Sequence, residues 1–120
     1  MIKIIVAGAA GRMGCRLVSL IRDSTALTLA GALEGTGHPA LGEDAGETAA
    51  SGRAGIPITD DLSILMERGE VVIDFSAPSA TLEHMRTVAH HRRAMVIGTT
   101  GLSAVQLDEL KSLAQQIPCV

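Results

Sequence analysis

Ile2-Lys3-Ile4-Ile5-Val6-Ala7 runs straight into Gly8-Ala9-Ala10-Gly11-Arg12-Met13-Gly14, and the reading of that junction decides the fold. The first six residues are an apolar run broken only by Lys3, the pattern of a strand buried on both faces. From Gly11 the period changes. Met13, Leu17, Leu20 and Ile21 recur at helical spacing and predict the apolar face of a helix ending near Asp23. Three glycines therefore stand between a buried strand and an amphipathic helix.

Glycines at such a junction suit a dinucleotide-binding turn. The turn has to let a pyrophosphate approach the backbone, and a Cβ at Gly8 or Gly11 would stand in its way. The free N–H groups of the first helical turn, with about half a unit of positive charge from the helix dipole, would hold the phosphates. Gly14 would let helix and sheet pack closely. Leu27 to Leu33 reads as a second strand that stops at Glu34. That acid lies about 20 residues beyond the loop, the spacing of a carboxylate that accepts hydrogen bonds from an adenosine ribose. A glycine-rich turn with no ligand and a solvated Glu is the plainer alternative. The strand before, the helix after and the acid at the second strand's end together favour the dinucleotide.

Further along, Glu34 to Gly55 is glycine-rich with little periodicity, and is expected to be a long, mobile surface loop. A short strand is predicted at Ile56 to Ile58, then a helix of about two turns capped by Asp60 or Asp61 and stopping at Gly69. Val71 to Phe75 is another apolar strand. Pro78 opens a helix with Leu82, Met85 and Ala89 inward, and Ala94 to Ile97 forms the next strand. Ser103 and Gln106 have capping-box spacing before a helix with Leu107, Leu110, Leu113 and Ala114 inward. Ile117 to Val120 begins one more strand. Strands separated by helices imply parallel crossovers, so the expected fold class is α/β: a Rossmann-like doubly wound parallel sheet, one domain over residues 1–120.

Hydrophobic residues make up 47%, charged residues 19%, and the net charge is -3, the balance of a soluble globular domain. No apolar run approaches the roughly 20 residues that span a bilayer, and the opening apolar stretch is too short for a signal peptide; a cytoplasmic location with no membrane partner is expected. The acidic balance argues against nucleic acid, as does one Phe with no Tyr or Trp, which leaves no platform for stacked bases. Cys15 and Cys119 are expected to be reduced thiols. His38, His84, His90 and His91 lack metal-ligand spacing and are expected to be solvated, so no metal is expected. Asp74 is expected to be a hydrogen-bonded structural carboxylate rather than a catalytic one, and Met13 and Met85 to sit on core faces.

Gly11-Arg12-Met13-Gly14, Ala32-Leu33-Glu34, Val71-Val72-Ile73-Asp74-Phe75-Ser76 and Met95-Val96-Ile97-Gly98-Thr99-Thr100-Gly101 together resemble the dihydrodipicolinate reductase family, from about Ile2 to Val120. These enzymes reduce a cyclic dicarboxylate on the bacterial route to diaminopimelate and lysine. The resemblance implies a nicotinamide cofactor with Gly8, Ala9, Ala10, Gly11, Arg12 and Met13 on its pyrophosphate and Glu34 on its adenosine ribose. It implies Phe75 and Ser76 beside the cofactor at the crossover of the sheet, and Gly98, Thr99 and Thr100 at the nicotinamide end.

Two departures matter. Family members that accept the phosphorylated cofactor typically carry a basic residue after the ribose-binding acid; here it is Gly35. NADH is therefore the favoured cofactor, with NADPH still admitted through Arg12 or Arg53. The family's His-His pair followed by Lys is absent, and its echo at His90-His91-Arg92-Arg93 reads as a basic helix C-terminus. No catalytic residue is expected within these 120 residues, so the chain alone is expected to be inactive. The resemblance implies an α+β substrate and oligomerisation domain beyond Val120, a homotetrameric intact protein, and a monomer or weak dimer for this stretch. An NAD(H)-sensing module without catalysis, or the cofactor domain of another small-substrate dehydrogenase, are the competing readings.

Overall fold

The computed structural model describes residues 1–120. Five parallel strands, β1 (Ile2–Ala7), β2 (Leu27–Leu33), β3 (Ile58–Thr59), β4 (Val71–Asp74) and β5 (Ala94–Ile97), form one sheet in the order β3-β2-β1-β4-β5. The helices are α1 (Arg12–Asp23), α2 (Ala45–Thr48), α3 (Leu62–Leu65), α4 (Pro78–His90) and α5 (Ala104–Ala114). The chain moves outward from β1 through β2 to β3, then returns to lay β4 against the other side of β1. This is the expected doubly wound, Rossmann-like arrangement, with its switch point between β1 and β4.

Strand side chains alternate between faces, and β1 supplies both cores. Ile4 and Val6 join Val18, Ile21, Ala32 and Ile58 on the α1 side, while Ile5 and Ala7 join Leu65, Val72, Met85, Val88 and Met95 on the α4 and α5 side. The continuous apolar run of β1 follows from this double burial.

In α1 the buried face is Gly14, Val18 and Ile21, with Leu17 half-buried, whereas Met13 and Leu20 are 45% and 56% exposed. The expected core position of Met13 is therefore corrected. A Cβ at Gly14 would collide with the Gly8 carbonyl oxygen, so this glycine must face the sheet, and its contact rotates the helix by part of a turn. Met85 is fully buried, as expected.

The stretch from Glu34 to Gly55 is not a featureless loop. It holds α2, capped by Asp44, and folds back on residues 56–58 through Ala45 N–H to the Ile56 carbonyl and Ile58 N–H to the Glu43 carbonyl, both 2.9 Å. Polar residues of α1 pin it down: Ser19 Oγ donates to the Ala49 carbonyl and Arg22 to that of Gly52. The anchors are hydrogen bonds between polar side chains and backbone, which leave no hydrophobic period to read. The third strand is Ile58–Thr59 rather than 56–58, and α3 is a single turn capped by Asp61.

Pro78 opens α4, and both halves of the Ser103–Gln106 capping box are formed at α5. No α5 residue is fully buried; Leu110, Leu113 and Ala114 pack on the core, but Leu107 is exposed. Residues 118–120 pair alongside β5, with Met95 N–H donating to the Pro118 carbonyl (3.0 Å) and Val120 N–H to that of Met95 (3.1 Å). No helix is long and apolar enough to cross a membrane.

Candidate cofactor site

All the residues anticipated at the site lie along the C-terminal edge of the sheet, on either side of the switch point. The β1–α1 loop comes first. Gly8 has φ +81°, and a Cβ there would meet the Phe75 carbonyl oxygen at 2.6 Å; it is glycine because the end of β4 crosses so close. Gly11, by contrast, has an ordinary φ of −76° and a Cβ would touch only the Gly8 oxygen, at 3.3 Å. The obstruction expected at Gly8 is thus internal to the protein, whereas the space outside Gly11 is open.

Gly11 caps α1 with no side chain to bond its first turn, and that turn holds no acidic residue. Gly8, Ala9, Ala10, Gly11 and Cys15 N–H groups all have acceptors within the chain, but those of Arg12, Met13 and Gly14 have none. Three adjacent unpaired donors at the positive end of a twelve-residue helix are a ready anion site. The residues present fit a pyrophosphate.

Glu34, at the end of β2, has a side chain 13% exposed; one carboxylate oxygen accepts the Ala10 N–H at 2.8 Å and the other lies 4.0 Å from His38 Nε2. It is tied to the glycine loop on one side and opens on the other into a cleft of about 410 Å³. That cleft is walled by Glu34 to Thr36, by Asp60 to Ser63, and by Ala80, Glu83, His84 and Thr87 of α4. Its lining carries four carboxylates, Glu34, Asp60, Asp61 and Glu83, and no Lys or Arg. Arg53 is held elsewhere, 3.4 Å from Glu47, and Arg12 does not line the cleft.

Beyond the switch point, Phe75 and Ser76 follow β4 and Gly98, Thr99 and Thr100 follow β5. The Phe75 ring occupies the place that a Cβ at Gly98 would need, which accounts for glycine there. Asp74 is fully buried. Its carboxylate accepts the Ser76 N–H (2.9 Å) and hydroxyl, and faces His84 Nδ1 at 2.7 Å. Thr81, also fully buried, donates to Thr99 Oγ1 at 2.7 Å. The hydroxyls of α4 and the β5 turn therefore tie the two strand ends together.

Asp74 is the hydrogen-bonded carboxylate anticipated, but His84 is not a solvated histidine: it is the partner of that carboxylate and a wall of the cleft, and sequence reasoning missed it. The signal lay in its spacing. His84 falls three residues after Thr81 and four before Val88, both buried, and so belongs to the flank of the inward stripe. His90 and His91 lie at the C-terminus of α4, on the opposite edge of the sheet, where His91 Nδ1 is 2.9 Å from the Thr87 carbonyl. No three His, Cys, Asp or Glu side chains come close enough to share an ion. Burial pushes the Cys15 thiol up, with Glu34 adding to the effect, and burial does the same to Cys119.

A five-stranded parallel sheet with a glycine turn at its switch point and an unpaired helix end facing it defines a Rossmann-like domain of the nucleotide-binding type. Residues 2–120 match the family model described as "Dihydrodipicolinate reductase, N-terminus", and the chain belongs to that family. It is 43% identical over 120 residues to the 4-hydroxy-tetrahydrodipicolinate reductases of Syntrophus aciditrophicus and Desulfotalea psychrophila. The match covers all of this chain but 45% of those proteins, so the chain spans about half the length of the curated relatives it matches. Among solved structures, a dipicolinate-bound dihydrodipicolinate reductase from Paenisporosarcina sp. TG-14 superposes with a TM-score of 0.71 at 24% identity, over 95% of this chain and 43% of that one. An amine dehydrogenase from Mycobacterium smegmatis reaches 0.75 at 20% identity, over 98% and 37%. At such identities these two likenesses speak for the fold alone.

Proposed function

We propose that this chain is the cofactor-holding part of a 4-hydroxy-tetrahydrodipicolinate reductase, an oxidoreductase of diaminopimelate and lysine biosynthesis. The observation that carries the reading is the row of unpaired N–H groups at Arg12, Met13 and Gly14, set at the switch point next to a carboxylate at the end of β2. Membership of the reductase family supports it. When bound, the nicotinamide cofactor supplies hydride to the substrate, a small cyclic dicarboxylate. The chain's own residues bind and orient: Gly8 to Met13 hold the pyrophosphate, Glu34 the adenosine ribose, and Phe75, Ser76, Gly98, Thr99 and Thr100 the nicotinamide half. A cytoplasmic location, a homotetrameric intact protein, and no nucleic-acid or membrane partner complete the proposal.

NADH is the favoured cofactor and NADPH a weaker one. A 2′-phosphate about 4 Å from Glu34 meets repulsion of roughly 1 kcal/mol in water and nearer 4 at an effective dielectric of about 20. Asp60, Asp61 and Glu83 add to that repulsion across the cleft, and no cation in its lining offsets it. Calorimetric titration with each cofactor tests the preference, and Gly35→Arg sharpens the test because a Cβ at Gly35 meets nothing within 4 Å. The substitution is expected to strengthen NADPH binding more than NADH binding. Tighter binding of NADPH by the unsubstituted chain would contradict the electrostatic argument.

A further inference from the structure

Between β5 and α5 the chain crosses the C-terminal edge of the sheet with little backbone support. Thr99, Thr100, Gly101 and Leu102 make no backbone hydrogen bond, and Gly101 has φ +84°. Two hydrogen bonds reach these four residues, both at the Thr99 hydroxyl. Thr81 Oγ1, on α4, donates to it at 2.7 Å, and it donates in turn to the Asp74 carbonyl at 3.5 Å. Thr81 and Asp74 are the only fully buried polar residues of the chain. A helical threonine commonly turns its hydroxyl back to a carbonyl one turn earlier, as Thr87 does on the same helix, to Glu83 at 3.2 Å. Thr81 instead reaches away from its own helix to the turn. A pair of valines of the same shape would fill this space at little or no cost in stability, so cohesion alone does not account for two hydroxyls here.

We propose that Thr81 is a positioning residue for the nicotinamide end of the site. Through its bond to the Thr99 hydroxyl it fixes the turn after β5 against the end of β4, and presents that turn to the nicotinamide half in one arrangement. Thr81 is fully buried and touches no ligand itself; it acts through Thr99. This rests on the reading of Gly98 to Thr100 as the nicotinamide end of the cofactor site.

Calorimetric titration with NADH and with ADP-ribose, which lacks the nicotinamide, separates the two ends of the site. Thr81→Val removes the hydroxyl and keeps the shape, whereas Thr81→Ser keeps the hydroxyl. The natural chain is expected to prefer NADH. Thr81→Val is expected to lower that preference roughly three- to tenfold, the equivalent of one neutral hydrogen bond, with ADP-ribose affinity unchanged, and Thr81→Ser to keep it. Thr99→Val, at a half-buried position, breaks the same bond from the turn side. It is expected to lower the preference at least as far, and adding Thr81→Val to it to change nothing more. An unchanged preference in Thr81→Val, or a further loss on adding it to Thr99→Val, would overturn the proposal. So would a Thr81→Ser chain as impaired as Thr81→Val, or a folded Thr81→Val chain that loses ADP-ribose as well. Should Thr81→Val fail to fold, full preference retained in Thr99→Val decides against the proposal. NADH and ADP-ribose bound alike by the natural chain would overturn the nicotinamide reading of the turn with it; failure to bind either would overturn the cofactor reading beneath both.

Discussion

Gly11 and Gly14 stand three residues apart and have opposite tasks. A Cβ at Gly14 collides with the Gly8 carbonyl, a backbone atom that cannot swing away. Gly14→Ala is therefore expected to destabilise the fold by about 1–3 kcal/mol, as overpacking does, and thermal unfolding measures it. Gly11 faces outward at an unstrained φ. Gly11→Val is expected to leave the circular dichroism unchanged and to push the phosphate off the helix end. Losing one charge-assisted hydrogen bond, about 1.5–3 kcal/mol, raises the NADH dissociation constant by roughly tenfold or more. Undiminished affinity would remove the loop from the site. At this scale the motif residues were legible in the sequence because glycine leaves a mark wherever backbone approaches backbone. His84 was not, because a histidine that bonds a buried carboxylate looks, letter by letter, like one in water.

Among the elements, the strands and long helices announce themselves through apolar period, as β1 and α4 show. The face of α1 was misjudged because Met13 and Leu20 extend its apolar stripe beyond what the sheet covers, and the close contact at Gly14 decides the rotation. The stretch from 34 to 55 carried no period at all, yet it is ordered, with Asp44 gathering more of its backbone than the α1 anchors Ser19 and Arg22 do. Asp44 accepts the N–H groups of Ala54 (2.8 Å), Gly55 (2.7 Å), Ile56 and Glu47 (both 3.0 Å). The Ala54 amide above all holds its carboxyl down at about 2, from an ordinary 3.8, against a smaller opposing push from burial. A lowered acid stabilises the fold above its unfolded value and loses that contribution as pH falls toward its folded one. The segment is thus expected to loosen between about pH 4 and pH 2, before the sheet does. Asp44→Ala is expected to loosen it at neutral pH, seen as faster tryptic cleavage after Arg53 and lost amide protection at Ala54 to Ile56. Unchanged cleavage would mean that the α1 anchors alone hold the segment.

The whole molecule is a cofactor-type domain covering 45% of the length of its curated relatives. Its fold was legible because strands and helices alternate along the chain, the long stretch between β2 and β3 apart, and the place of its candidate site because ligands of such sheets gather where the chain reverses direction. Neither the acidity of the cleft nor its shape could be read beforehand, since Asp60, Asp61 and Glu83 meet Glu34 only through the return of the chain to β4. The chain alone is expected to bind NADH as a monomer or weak dimer and to show no turnover of dihydrodipicolinate, because the family's His-His and Lys pattern has no counterpart in it. Ordinary enzyme rates would reassign catalysis to residues within the chain, with His90 and His91 the first to test. The most direct measurement of the central claim is an amide ¹H–¹⁵N titration with NADH. The account predicts the largest shifts at Arg12, Met13 and Gly14, with Glu34, Ser76 and Thr99 following at a single shared dissociation constant. Saturable shifts confined to other surfaces, with those three helix amides unmoved, would contradict it.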